Sequence, residues 1–301
     1  MSGQRAGASG ATFVTAVYER SPDDVIGGRG FPLDRYLLSL ASIVRLDAPL
    51  VVYTQRHLAA RLTEFFQSRG IAARVLSRPL SAVPHFWPIT ELRIRQRVHT
   101  KPYRDRCHLL CFAKFAWLAD QARDDPFGTA RVYWIDAGLS YPALFPARHL
   151  PRPFGVCDLF TPALPAALDR YRPFLVCELA PMPGRHLHSV DTRDMERLAG
   201  VAEGSIATHI VGGLFGGMRE QVLDLYDDYD RVLARMLSAD LLGTEENVLT
   251  VLFHRDPSRF CARTFTTWHH EDTDFTQPAA HDVPFYRMFQ DLESGASTGE
   301  G

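Results

Sequence analysis

The sequence predicts an α/β fold: one domain with a mostly parallel central sheet flanked by helices. Three observations carry that expectation. The first 80 residues alternate short apolar runs with stretches of helical period, giving β-α-β-α-β. The runs at 50–53 and 132–135 are apolar throughout, as strands covered on both faces are. The composition of the 301 residues, 46% hydrophobic and 23% charged, is that of an ordinary globular chain.

Taken in order, residues 1–11 are rich in Gly, Ala and Ser and are expected to form a disordered tail, as are residues 293–301. Thr12–Tyr18 reads as a strand, followed by a loop holding Gly27, Gly28 and Gly30. From Phe31 to Leu46 the spacing of Leu33, Tyr36, Leu37, Leu40, Ile43 and Val44 predicts a helix, with Pro32 suited to its first turn. Pro49–Thr54 is the second strand, His57–Ser68 a helix closed by Gly70, and Ile71–Leu76 the third strand. Such units favour parallel pairing with right-handed crossovers. Residues 84–106 have no clear period. They concentrate Arg93, Arg95, Arg97, His99, Lys101, Arg104 and Arg106, and a solvated face is the ordinary use of such a run.

A helix follows from Cys107 to Arg123. Between Leu109 and Ala119 its only non-apolar residue is Lys114, so the helix is buried on most sides. A lysine there either snorkels outward or meets an anion, because an unpaired buried charge is costly. Next comes Arg131–Gly138, a buried strand ending in a single carboxylate, Asp136. Ligands of open α/β sheets sit beyond the carboxyl ends of the strands, which is where Asp136 stands; an acid there also serves simply to cap a turn.

Nine of the twenty prolines fall in 142–183, so loops and short turns are expected, with a brief strand at Phe174–Cys177. His186 and His188 form an H-x-H pair without an evident third ligand. Ser205–Val211 reads as a strand running into a glycine loop, Gly212–Gly217, and then a long helix from Met218 to Ala239. Thr244 is placed as an N-cap, with Glu245 and Glu246 in the first turn where the helix dipole favours acids. Phe260–Trp268 is the last strand, with His270 just beyond it.

Several chemistries are disfavoured. The net charge of −2 offers no general attraction to nucleic acid. No run of 18 apolar residues would span a membrane, and no signal peptide is evident. Five scattered cysteines suggest neither a disulfide framework nor a zinc site, which points to a reduced, cytoplasmic setting. The dinucleotide fingerprint, the P-loop, the H-E-x-x-H motif and a strand-to-helix G-x-S-x-G elbow are all missing. What could converge instead is Asp136, Lys114, the Gly212–Gly217 segment, and Glu245 with Glu246. An acid can hold a divalent ion against a diphosphate, glycines let a ligand approach the backbone, and a second acid can take a proton from a hydroxyl.

In the order of these pieces the chain resembles the HtrL/YibB-type (WlaTC-like) bacterial glycosyltransferases, a GT-A-like family. The matching segments are Thr12–Ala16, Pro49–Thr54, Lys114 with Trp117 and Leu118, Tyr133–Gly138, Gly212–Gly217 and Thr244–Thr250. The resemblance implies a single GT-A-like domain over 12–292 on a Rossmann-like sheet, with a nucleotide-binding half (12–140) and an acceptor-side half (141–292). It implies transfer of a sugar from a nucleotide-diphospho-sugar donor to a hydroxyl acceptor such as a glycan, a lipid-linked glycan or a secondary metabolite. The donor would meet Thr15, Ala16, Tyr18, Thr54, Lys114, Asp136, Ala137 and Gly138, and the sugar or acceptor would meet Gly212, Gly213, Gly216 and Gly217. Glu246 or Glu245 would be the catalytic base. Asp136 and His270 would bind Mn²⁺ or Mg²⁺, although Gly138 stands where the family's motif carries a second acid. A nucleotidyltransferase on a similar sheet, with Gly27–Gly30 as its loop, and a non-catalytic nucleotide-sugar-binding protein are the alternatives.

Overall fold

The computed structural model describes residues 10–19, 33–43, 46–99, 108–138, 161–180, 184–266, 292 and 294. The expected tails lie almost wholly outside these residues. So do Gly27–Gly30, Pro32, Cys107 and His270.

The fold class is as expected. Seven strands form one sheet in the order β3-β2-β1-β4-β8-β5-β9. They are β1 (Ala11–Val17), β2 (Leu50–Thr54), β3 (Ala73–Ser77), β4 (Arg131–Ile135), β5 (Phe174–Ala180), β8 (His209–Met218) and β9 (Phe260–Thr266). All run parallel except β8, which is antiparallel to both β4 and β5. A separate two-stranded hairpin pairs β6 (His186–Leu187) with β7 (Val190–Asp191). The helices are α1 (Leu33–Ile43), α2 (Arg56–Gln67), α3 (Phe86–His99), α4 (His108–Asp124), α5 (Ala163–Leu168), α6 (Thr192–Ala199), α7 (Arg219–Ser238) and α8 (Glu245–Arg255).

Strand side chains alternate between two cores. Val14, Val51, Val132 and Trp134 join α3, α4, α7 and α8 on one face. Phe13, Leu50, Val52, Tyr133 and Ile135 join α1, α2 and α5 on the other. Both faces are covered, which is why β2 and β4 read as unbroken apolar runs. The period of two also sets where Asp136 goes. It is in phase with Val132 and Trp134, on the face packed by α4 and α8.

Three expectations change. Residues 86–99 form a helix, and its Arg95 pairs with Asp240 at 2.9 Å on the surface, as a solvated charge run would. The proline-rich region contains a full central strand. β5 holds seven residues between Pro173 and Pro181, so no proline interrupts its ladder. The glycine segment is not a loop. Gly212–Gly217 lies inside β8, which begins at His209, and Ser205–Thr208 precede it outside the sheet. The β5–β8 register slips here, with Val176 opposite Phe215 and Cys177 opposite Val211. Ile210 and Phe215 consequently face the same core although they are five positions apart, an odd offset that regular alternation would put on opposite faces.

Candidate active site

α4 crosses the sheet face beside β4 and carries Lys114 inward. Its ammonium meets Asp136 Oδ2 at 2.9 Å, Glu245 Oε1 at 2.6 Å and the Gly212 carbonyl at 3.2 Å. Of the two readings for this lysine, the anion is the one found, and it is two carboxylates of the same chain. The Lys114 side chain is 12% exposed and that of Glu245 only 2%. Burial by itself disfavours the ammonium, but Asp136 and Glu245 outweigh it and hold its pKa well above the usual lysine range. For Glu245 burial dominates over the attraction of Lys114 and, with repulsion from Glu246 and Asp136 added, pushes the carboxyl up to about 7.

Asp136 is fixed from two sides. Its Oδ2 takes Lys114 and its Oδ1 accepts the Trp134 indole N–H at 2.6 Å. Trp134 is itself wedged between Trp117 and Phe215, with ring centroids 6.4 and 6.5 Å away. Asp136 still has 33% of its side chain exposed. The backbone beyond it is buried at Ala137, whereas at Gly138 an added Cβ would meet nothing within 4 Å. The acid therefore presents a rigid, partly open carboxylate at the carboxyl end of the central strand.

The irregular part of β8 lets α8 come close. A Cβ on Gly212 would lie 2.8 Å from Glu245 Cδ, so glycine is required for the glutamate to reach Lys114. The Gly212 N–H donates to Glu246 Oε1 at 2.9 Å, and Gly213 accepts from the Asp136 N–H at 2.9 Å. One short stretch of β8 thus touches Lys114, Asp136 and Glu246. Gly216 and Gly217 serve packing: a Cβ on Gly216 would stand 2.7 Å from Tyr133 Cα, and one on Gly217 would stand 3.3 Å from Phe174 Cα. Thr244 stands at the N-cap position of α8, yet its hydroxyl has no partner. The Asn247 side chain caps that end by accepting from the Thr244 N–H at 2.8 Å.

The two adjacent glutamates are not equivalent. Glu245 is sealed against Lys114, whereas Glu246 is 18% exposed and its Oε2 meets His188 Nε2. His188 is the second histidine of the H-x-H pair, and it meets an acid rather than a metal. The H-x-H spacing marked it, but nothing in the spacing linked it to Glu246, 58 positions away. His209 carries no such mark in the sequence. Buried at the start of β8 with its Nδ1 unpartnered, it has its pKa lowered by burial against the pull of Glu246 and Glu178.

At the neighbouring strand ends the chain largely satisfies itself. The Thr54 hydroxyl donates to the Val17 carbonyl at 2.7 Å, and the Tyr18 hydroxyl to the Arg78 carbonyl at 2.8 Å. Tyr18 stacks on Trp117, 5.5 Å between centroids. Thr15 is buried with no partner for its hydroxyl, and Ala16 is half-buried. A divalent ion would draw on Asp136 and His270. His270 lies outside the described residues, and Lys114 and Trp134 each engage one Asp136 oxygen. Among the described residues no group of three or more His, Cys, Asp or Glu side chains is arranged to hold a metal. The described donor set therefore does not amount to a metal site, and Lys114 balances the charge of Asp136.

No family model and no curated protein matches the chain. Among solved structures, mouse xyloside xylosyltransferase 1 in its apo form is similar at 11% identity, covering 97% of this chain and 94% of its own, with a TM-score of 0.43. The 4-diphosphocytidyl-2C-methyl-D-erythritol synthase of Anaerococcus prevotii is similar at 10% identity, covering 93% and 98%, with a TM-score of 0.41.

Proposed function

We propose that the chain is a glycosyltransferase that moves a sugar from a nucleotide-diphospho-sugar to a hydroxyl acceptor. The observation that supports this most is the convergence, at the carboxyl end of the sheet, of a fixed but open Asp136 and a partly exposed Glu246, joined through Lys114 and Gly212. In this reading Asp136 faces the donor and Glu246 the acceptor. The acceptor O–H breaks as its oxygen bonds to the sugar's anomeric carbon, and the proton passes to Glu246. The anomeric carbon's bond to the diphosphate breaks, and the nucleoside diphosphate leaves with the electron pair. Glu245 is too enclosed to reach an acceptor, and its part is to hold Lys114. Lys114 in turn fixes Asp136.

A non-catalytic nucleotide-sugar-binding protein is the second reading. It is favoured by one fact: each oxygen of Asp136 is already engaged by the chain itself. The feature that would favour a nucleotidyltransferase, the Gly27–Gly30 segment, lies outside the described residues.

A thermal-shift screen of nucleotide sugars, with and without Mn²⁺ or Mg²⁺, identifies the donor, since a ligand of the folded state raises apparent stability. Transfer from that donor to a panel of glycan, lipid-linked and small hydroxyl acceptors then tests the reaction. Nucleoside diphosphate release that depends on acceptor supports transfer. Donor binding without release across the panel supports the second reading, and pyrophosphate release from a nucleoside triphosphate would support the nucleotidyltransferase.

A further inference from the structure

Glu246 is presented by the first turn of α8, and its Oε1 is held by the Gly212 N–H. Its other oxygen meets His188 Nε2. His188 reaches that position only because of an unusual turn. β6 and β7 are joined by two residues, His188 and Ser189, whose φ values are 48° and 77°. Two-residue hairpins with both central residues at positive φ strongly favour Asn-Gly or Gly-Gly. Neither residue here is one of these, and left-handed backbone at ordinary residues has a cost that surrounding structure must offset. The offset is visible. The Leu187 carbonyl accepts from Asn247 Nδ2 at 2.8 Å, the Thr192 N–H donates to Arg185 O at 2.9 Å, and Leu187 and Val190 are buried. Asn247 follows Glu246 directly, so one helical turn both carries the acid and clamps the hairpin that carries the histidine.

We infer that His188 is the positioning residue of the proposed base: its imidazole fixes the Glu246 carboxylate in the place from which it takes the acceptor's proton. The inference rests on the glycosyltransferase reading for its role in rate, but the pairing itself is independent of it. A neutral imidazole leaves Glu246 a competent base. A protonated one donates a charge-assisted hydrogen bond to it and weakens it. The groups that act on Glu246 are His188 from the hairpin, His209 from β8, and Glu245 from its own helix. Among these His188 is the one in contact and partly exposed.

The test compares wild type, H188Q, the double variant H188N/S189G and E246Q. The double variant supplies the Asn-Gly that such a turn prefers, so it keeps the hairpin even if single replacements unfold it. In transfer assays with the donor found by the screen, both His188 variants are expected to lose about tenfold or more in kcat/KM while binding the donor as wild type does. In both His188 variants the acid limb of the rate profile is expected to lie at lower pH than in wild type. Free imidazole in the buffer should restore part of the rate. Independently of any activity, the His188 ring signal in NMR should titrate about one pH unit higher in wild type than in E246Q. Rates within twofold of wild type with an unmoved profile would overturn the inference while leaving the glycosyltransferase reading intact. An equal NMR midpoint in E246Q would overturn it even if no donor is ever found.

Discussion

At the scale of single residues the site turns on how one lysine divides itself between two acids. Lys114 sits almost wholly out of water with Asp136 and Glu245 as partners. Removing one member of a buried charge group leaves the others uncompensated, a loss of about 3–5 kcal/mol. K114M is therefore expected to lower the midpoint of urea unfolding with an unchanged slope, and a variant as stable as wild type would show that the network contributes nothing. Glu245 carries a pH dependence. Its folded pKa of about 7 lies above the ordinary 4.5, so the folded state binds more protons than the unfolded chain between those values. The contribution of Glu245 is fully present below about 4.5 and is lost as pH rises through about 7. Unfolding free energies measured across this window should fall with pH in wild type, and E245Q should flatten that part of the curve. These acids were legible as candidates because the sequence places them in the first turn of a helix. Their division of labour was not, because it depends on a partner 131 positions away and on which of two neighbouring side chains is sealed.

At the scale of elements β8 is the least expected part of the molecule. Its glycines looked like a loop because glycine usually punctuates strands. The segment is instead a buried strand pressed between β4, β5 and α8, where each missing Cβ leaves room for a neighbour. G212A would drive a methyl into Glu245, and G216A would drive one into Tyr133, at a backbone φ of 154° in the latter case. Each should destabilise by about 1–3 kcal/mol or more, measurable as a fall in Tm. G212A should in addition disturb donor binding, because it displaces Glu245 from Lys114. An alanine at Gly138, where space is open, should have little effect on stability by the same measurement. β2, β4 and α4 were readable as unbroken apolar runs, and α7 because it holds a helical period over several turns. The β6–β7 hairpin was not, because two residues per strand leave no period to read. β5 was underread because the prolines that bracket it looked like prolines within it.

At the scale of the whole molecule, one mostly parallel sheet gathers distant segments at its carboxyl end. Six strands share a direction, so the carboxyl ends of β1, β2, β4, β5 and β9 lie together, and the reversed β8 begins there. The register of β4 puts Asp136 on the α4 side, and the slip in β8 puts Gly212 beneath α8. The α/β class followed from the alternation of elements in the sequence. The meeting of Lys114, Asp136, Glu245, Glu246 and His188 required the strand order, which no local pattern encodes. Among the described residues no helix is long and apolar enough to cross a membrane. The central claim is that this end of the sheet, with Asp136 at its centre, is the donor's seat. Isothermal titration of the nucleotide sugar found by the screen into wild type and D136N tests it most directly. The account predicts at least tenfold weaker donor binding by a folded D136N, and equal affinity of the two proteins would contradict it.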